Sequence, residues 1–419
     1  MSRQQTATGT SATMTADGMK LLKTIFLSGV IGFAATGIAS AADDPVRIPV
    51  ITALTGPVAV LGQDAQKGTE LAQEAINKAG GIGGRPVSFQ IVDTQGRPDV
   101  VRREMERLTR LEKMPLVVGC EISAGTASAA QFAESAQVPL VNLLSVSADI
   151  LERGYKWYFA EQITGDDEAA AALGYLSAVA PGQDLSGKSF ALLYEDSPRG
   201  AGTATRIRKL LGEKGLKVVS ENSYNRADRN LLALMRKVQD SKPDILIWAN
   251  YAEDAVAGLK AMKQLDFYPY VLGIGAGLGD PRLPELVDPD LIQKVHVSNV
   301  DYFSPDIARA KALREAFQAR YKLDPSSYAG ACYAGLLTLK EPLEKAAAGG
   351  ALTPTAIRDA LRAVNIPGDT TSWPAKSIHF DVTGRNIGAQ ALVSQWVGGR
   401  SKSTVYPPEI AVAKPAPLP

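Results

Sequence analysis

From Val46 to Ile274 short apolar runs alternate with helical patterns, and that alternation restricts the chain to an α/β architecture on parallel sheets. Strand-like runs lie at 46–53, 87–92, 116–118, 140–144, 189–194, 216–221, 245–250, 270–274 and 295–299. The segment LTGPVAVLGQD reads as a loop, and a helix follows over about 63–79, where Leu71, Ala72, Ala75, Ile76 and Ala79 recur at helical spacing before Gly80-Gly81 stops it. Further helices are expected from Pro98, after Gly119, and over 166–179, 203–214, 230–239 and 252–265. Three more helical patterns, 305–321, 328–347 and 354–363, precede a closing hairpin of SIHFDVTGRN with AQALVSQWVGG and a proline-rich tail. The strand–helix units fall into two series of similar size and order, one before and one after about Asp166, which predicts two lobes.

The N-terminus stands apart. Lys20 and Lys23 precede the apolar run TIFLSGVIGFAATGIA, and Ala39-Ser40-Ala41 supplies a small-x-small cleavage site. This is the pattern of a secretory signal peptide over 1–41, with Met19 the expected start, and it predicts a periplasmic protein. Removing Arg3, Asp17, Lys20 and Lys23 with it leaves 42 basic and 43 acidic residues, so a nucleic-acid partner, which needs a basic excess, is excluded. The only cysteines, Cys120 and Cys332, are read as buried free thiols; a bridge is the alternative in an oxidising compartment.

One junction draws the eye chemically. PLVVGCEISAGTAS (115–128) is an apolar strand, a tight turn, and a helix whose first turn carries Ser123 and Thr126. Backbone N–H groups at a helix start lack internal partners and sit at the positive end of the dipole, so such a junction suits a carboxylate or phosphate. The same segment also reads as a plain N-cap of an α/β domain. Enzyme readings are weaker. Glu121-Ile-Ser123-Ala-Gly125 lacks the first glycine of a nucleophile elbow, and the only histidines, His296 on an apolar strand and His379 in the closing hairpin, read as structural. Two histidines and two scattered cysteines make no metal site, and the glycine loop at 273–279 lacks dinucleotide spacing. No cofactor is expected.

Several segments resemble one family in order: TGPVAVLGQDAQKGTELAQEAINKAGGIGGRPV, VDTQGRPD, VVGCEISAGTASAAQFAE, LERGYKW and FDVTGRN. Together they are similar to the bacterial periplasmic leucine/isoleucine/valine-binding proteins of ABC importers across about 45–410. The resemblance implies a type I periplasmic-binding fold, two doubly wound parallel-sheet lobes joined by three crossovers near 161–166, 299–304 and 366–375. Lobe 1 would be 44–161 with 300–368, lobe 2 would be 162–299 with 369–410, and 411–419 the tail. A monomer is expected to close on a small carboxylate by hinge motion and present it to membrane permease subunits. A sensor that presents its closed form to a chemoreceptor is the alternative.

By the same resemblance the carboxylate sits at Ser123 and Thr126, with further contacts from Ser145, Val146 and Ser147 and a pocket wall at Leu61. Val146 departs from the family, which usually has a threonine there. Tyr251 matches a ligand-facing tyrosine, and Arg199 replaces a frequent tyrosine. The second lobe departs more, because amino-acid binders hold the ammonium with an acidic residue in the loop where this chain has Gly273 to Gly279, including Gly275. Glu253 or Asp254 is the alternative partner for an ammonium, although first-turn acids usually serve the helix dipole. The expectation is a hydrophobic or branched-chain amino acid, or an organic or aromatic acid without the amine. Trp248 is read as core.

Overall fold

The computed structural model describes residues 44–226 and 230–418, so the signal-peptide expectation lies outside the described residues. The first sheet collects β1 (Val46–Thr52), β2 (Val87–Asp93), β3 (Val117–Gly119), β4 (Leu140–Asn142) and β5 (Tyr158–Ala160) in the order β2-β1-β3-β4-β5, all parallel. Helices α1 (Ala59–Lys78), α2 (Pro98–Glu106) and α3 (Ser123–Ala136) connect its strands. Both faces are covered, which is why β1 is buried at every position but Arg47. Ile51, Val101, Met105 and Val117 pack on one side, and Val50, Ala65, Val118 and Ala329 on the other.

The second unit runs α4 (Gly165–Val179), β6 (Ser189–Glu195), α5 (Pro198–Glu213), β7 (Lys217–Tyr224), α6 (Leu232–Asp240), β8 (Ile245–Ala249), α7 (Ala252–Leu265), β9 (Tyr270–Ile274), α8 (Leu283–Leu286), α9 (Pro289–Lys294) and β10 (Ser298–Asp301). The chain then returns through α10 (Lys311–Tyr321), α11 (Ser327–Thr338), α12 (Lys340–Ala348), α13 (Pro354–Arg362), β11 (Ile366–Pro367) and β12 (Ser377–Ile378). It ends in β13 (Leu392–Val397) and β14 (Ser401–Tyr406). The second sheet has the order β14-β13-β10-β9-β8-β6-β7, parallel except for β13 and β14. Trp248 is fully buried in its core, its indole donating to the Tyr224 hydroxyl at 3.1 Å, as expected.

The chain passes between the sheets three times: after β5, after β10, and beyond Asn386. The last passage lies later than 366–375 because residues 377–386 stay with the first sheet. There Ala160 N donates to Gly384 O, Asn386 N donates to Ala160 O, and Phe380 packs edge-on against Phe159 at 5.3 Å. The closing hairpin is accordingly β13 with β14, not 377–386 with 389–399; Ser377–Ile378 instead pairs with Ile366–Pro367. Glu161, in the first passage, is fully buried beneath Thr338, whose hydroxyl it accepts, and Trp373, whose indole donates at 2.7 Å. Burial pushes its carboxyl up to about 8, although both hydrogen bonds pull the other way.

Other sequence expectations shift for local reasons. Helix α1 starts at Ala59 instead of about 63, seated so closely on the end of β1 that a Cβ at Gly62 would stand 1.9 Å from Ala53 O. Helix α5 starts at Pro198, a proline in the first turn behind the Ser197 cap. The pattern at 328–347 breaks at Leu339 because Pro342, lacking an N–H, cannot continue the earlier helix. His296 is not on a strand: its φ of 47° makes a left-handed turn before β10 begins at Ser298. The cysteines are buried as expected but bridged, not free: α11 crosses the end of β3 and brings Cys332 to a Cα separation of 6.3 Å from Cys120 across 212 residues. Among the described residues no helix is long and apolar enough to cross a membrane.

Candidate functional site

In open parallel sheets ligands bind beyond the carboxyl ends of the strands. Here those ends supply the turn after β3 (120–123), the loop after β4 (143–147), and the turns after β6, β8 and β9. The first two face the last three: α3 packs against α5 across the gap. Ser123, Ser145, Val146, Leu61 and Tyr251 are each less than a tenth exposed, so the cleft is closed. Arg282, after β9, reaches Asp64 on α1 at 3.0 Å, and Arg206 on α5 reaches Asp149, after β4, at 2.7 Å. These two ion pairs span the gap between the units.

The first wall is uncharged at its centre. Helices α4, α5, α11 and α13 start with a Thr or Ser whose side chain accepts from the first turn. Helix α3 starts after Ile122, which has no side chain to do so. Its first N–H groups therefore have no side-chain cap. The surroundings are fixed in advance. Glu121 folds back to accept from Ile122 N at 2.8 Å and from the Thr94 hydroxyl, and burial pushes its carboxyl up to about 7. Asn142 accepts from Ser145 N at 2.8 Å and donates to Ser145 O at 2.7 Å, which leaves the Ser145 hydroxyl to donate to Ser123 Oγ at 3.1 Å. Ser123 then has its own proton free to donate. Ser147 N donates to Ser145 Oγ at 3.3 Å, so Ser147 steadies that loop. The Thr126 hydroxyl donates to Glu121 O at 3.2 Å, so its proton is committed to the turn.

The second wall is charged. Arg199 lies at the start of α5, 11% exposed on its side chain, and donates to the fully buried Glu168 at 2.8 Å. Burial works against the Arg199 charge, but Glu168 together with Tyr251, Tyr328 and Glu195 outweighs it and raises its pKa. Gly275 stands against it at φ 110°, where a Cβ would come within 3.1 Å of Arg199 Nη2 and 3.0 Å of Asn250 O; only glycine serves both the backbone and that approach. Tyr251 is buried with the Arg226 guanidinium 4.1 Å over its ring. Asp254 accepts from Tyr251 N at 3.2 Å and so caps its own helix, while Glu253 is exposed.

Sequence reasoning missed four residues here: Glu168, Arg226, Tyr302 and Tyr328. Tyr328, the second residue of α11, lies between Glu121 and Arg199, and burial raises its hydroxyl to about 12. Tyr302, directly after β10, has its ring 6.3 Å from that of Tyr328. Glu168 carries the one sequence signal that could have found it, since three consecutive acids open α4 and the third faces inward.

A Leu/Ile/Val-binding protein homolog from Brucella suis biovar 1 is 26% identical over 402 residues, covering 94% of this chain and 98% of its own length. Two solved structures share the fold. One is a branched-chain amino acid transporter substrate-binding protein from Streptococcus pneumoniae in complex with isoleucine, with a TM-score of 0.74, 21% identity and coverage of 87% of this chain and 100% of that one. The other is a solute-binding protein of an ABC transporter from Rhodopseudomonas palustris in complex with 3,4-dihydroxy benzoic acid, with a TM-score of 0.71, 19% identity and coverage of 84% and 93%. A periplasmic binding protein family model matches residues 45–400, and with two α/β units closed over a cleft at the carboxyl ends of their strands, the chain belongs to that family.

Proposed function

We propose that this protein captures a small carboxylate between its two α/β units and, as a monomer, presents the closed form to the permease subunits of an ABC importer. The observation that carries the reading is the start of α3, whose N–H groups lack a cap while Ser123 is held with its proton free. A carboxylate there would complete the helix cap and meet the positive end of the dipole, as in anion sites generally. Ser145 supports the contact through Ser123, and Leu61 and Val146 supply an apolar wall for a hydrophobic or aromatic body. The ligand class is a branched-chain or other hydrophobic amino acid, or an organic or aromatic acid without the amine. The second wall favours the latter. Asp254 caps its own helix, and an ammonium near Glu168 would also face Arg199. An unpaired buried ammonium is costly.

A thermal-shift panel on refolded, ligand-stripped protein tests the reading. Ligand at a hundred times its Kd stabilises by about 2.7 kcal/mol, a shift of a few degrees. Stabilisation by leucine, keto acids or aromatic acids supports carboxylate capture. Stabilisation only by solutes without a carboxylate contradicts it.

A further inference from the structure

Besides Arg226 Nε, which lies 3.8 Å from Asp254, two side-chain atoms of the second wall are buried without a hydrogen-bond partner: Glu168 Oε2 and the Tyr302 hydroxyl. Their residues are 1% and 4% exposed. Such atoms are rare in folded proteins and each calls for an explanation. Both stand beside Arg199: Glu168 is its ion-pair partner, and Tyr302 feels the charges of Arg199 and Glu168. The Tyr302 hydroxyl approaches that of Tyr328, a contact that pulls the Tyr328 pKa down, without full hydrogen-bond geometry. Burial keeps Tyr302 protonated, so it is available to donate as well as to accept.

We propose that this corner receives a hydroxyl on the far end of the ligand, which makes the preferred ligand a hydroxylated aromatic carboxylate; the inference rests on the carboxylate reading above. The chemistry of the corner selects among end groups. Burial raises the Glu168 pKa and the Arg199 charge opposes that rise. Ionised against Arg199, Glu168 Oε2 can only accept, the guanidinium can only donate, and Tyr302 can do either. A second carboxylate would meet Arg199 but oppose Glu168 and the buried Glu195. An ammonium would meet Glu168 but oppose Arg199. A hydroxyl donates to Glu168 while accepting from Arg199 or Tyr302, and it carries no charge to be opposed. The body that joins the two ends passes Tyr251, Tyr302 and Tyr328, whose rings favour an aromatic neighbour.

Calorimetry on the stripped full-length mature chain would compare benzoate, 3- and 4-hydroxybenzoate, 4-methoxybenzoate, leucine and 4-hydroxybenzyl alcohol. At least one hydroxybenzoate should bind about tenfold more tightly than benzoate, the worth of one buried hydrogen bond to a charged acceptor. The methoxy compound, which cannot donate to Glu168, should not recover that gain. Tyr302→Phe should bring the hydroxybenzoate-to-benzoate ratio toward one, with melting used to check the fold. Glu168→Gln, which keeps the shape, should do the same should Tyr302→Phe not fold. Equal or tighter binding of benzoate or leucine overturns the hydroxyl inference and leaves carboxylate capture standing. Binding of the alcohol but of none of the acids overturns the carboxylate reading, and binding of nothing in the panel overturns both.

Discussion

The two walls of the cleft solve opposite problems. The wall built on β3 and β4 spends its hydrogen bonds on itself: Asn142 pins Ser145, Ser145 serves Ser123, and Thr126 serves the turn, while the start of α3 has no side-chain cap. The wall built on β6, β8 and β9 is held by a buried ion pair and leaves polar atoms unspent. A preorganised neutral wall can take an anion without rearrangement. A charged wall with free acceptors and donors discriminates among what the anion carries, because a wrong end group leaves buried groups unpaired. Under the proposed function the difference divides the site into an anchor and a selector.

The sharpest break of this comparison is Arg199→Met, which leaves Glu168 buried without its cation. Removing one partner of a buried pair costs about 3–5 kcal/mol, read by urea unfolding. A loss below about 1 kcal/mol, the range of exposed pairs, would show that the selector wall is wet. Next comes Gly275→Ala, which forces a side chain into the left-handed region and against Arg199. It should cost roughly 1–3 kcal/mol and weaken ligand binding, while an alanine at Gly350, where a Cβ meets open space, pays only the backbone term.

The buried carboxyls of the first unit and its crossover predict a pH dependence. Buried Glu161 and Glu121 hold their protons to about 8 and about 7 against an ordinary value of 4.5. The folded chain therefore binds more protons than the unfolded one across that window. Their contribution is full below about pH 4.5 and declines as pH rises toward 8. Glu161→Gln should flatten the decline by up to about 1.4 kcal/mol per pH unit, measured by urea midpoints from pH 5 to 8. A variant with an unchanged slope would refute the buried neutral carboxyl. The smallest effect is expected from Arg282→Ala. It removes the reach to Asp64 across the cleft and should weaken ligand binding by about 0.5–1 kcal/mol, mainly through faster release.

The sequence showed the anchor wall far better than the selector. Ser123 and Thr126 stand in a strand-to-helix turn whose small residues and hydroxyls are legible locally, Ser145 was reached only through the family resemblance, and the alternation of strands and helices was readable because each unit is built from neighbouring residues. Tyr302 and Tyr328 come from a crossover and from an apolar helix, and their meeting with Glu168 and Arg199 depends on how the returning helices pack. Local pattern carries no trace of that. The disulfide was ranked behind free thiols for the same reason, since α11 must cross β3 before Cys332 meets Cys120. The misplaced hairpin shows the converse error: 377–386 has a strand-like pattern, but its partners are Ile366–Pro367 and the edge of β5, not the segment that follows.

The central claim is that a ligand carboxylate caps α3 beside Ser123. The most direct test is calorimetry on Ser123→Ala with the tightest acid from the panel, beside the wild type and with the corresponding primary amide. The account predicts a loss of roughly 1–3 kcal/mol for the acid, a much smaller loss for the amide, and an unchanged melting temperature without ligand. Equal affinity of wild type and variant for the acid would contradict it.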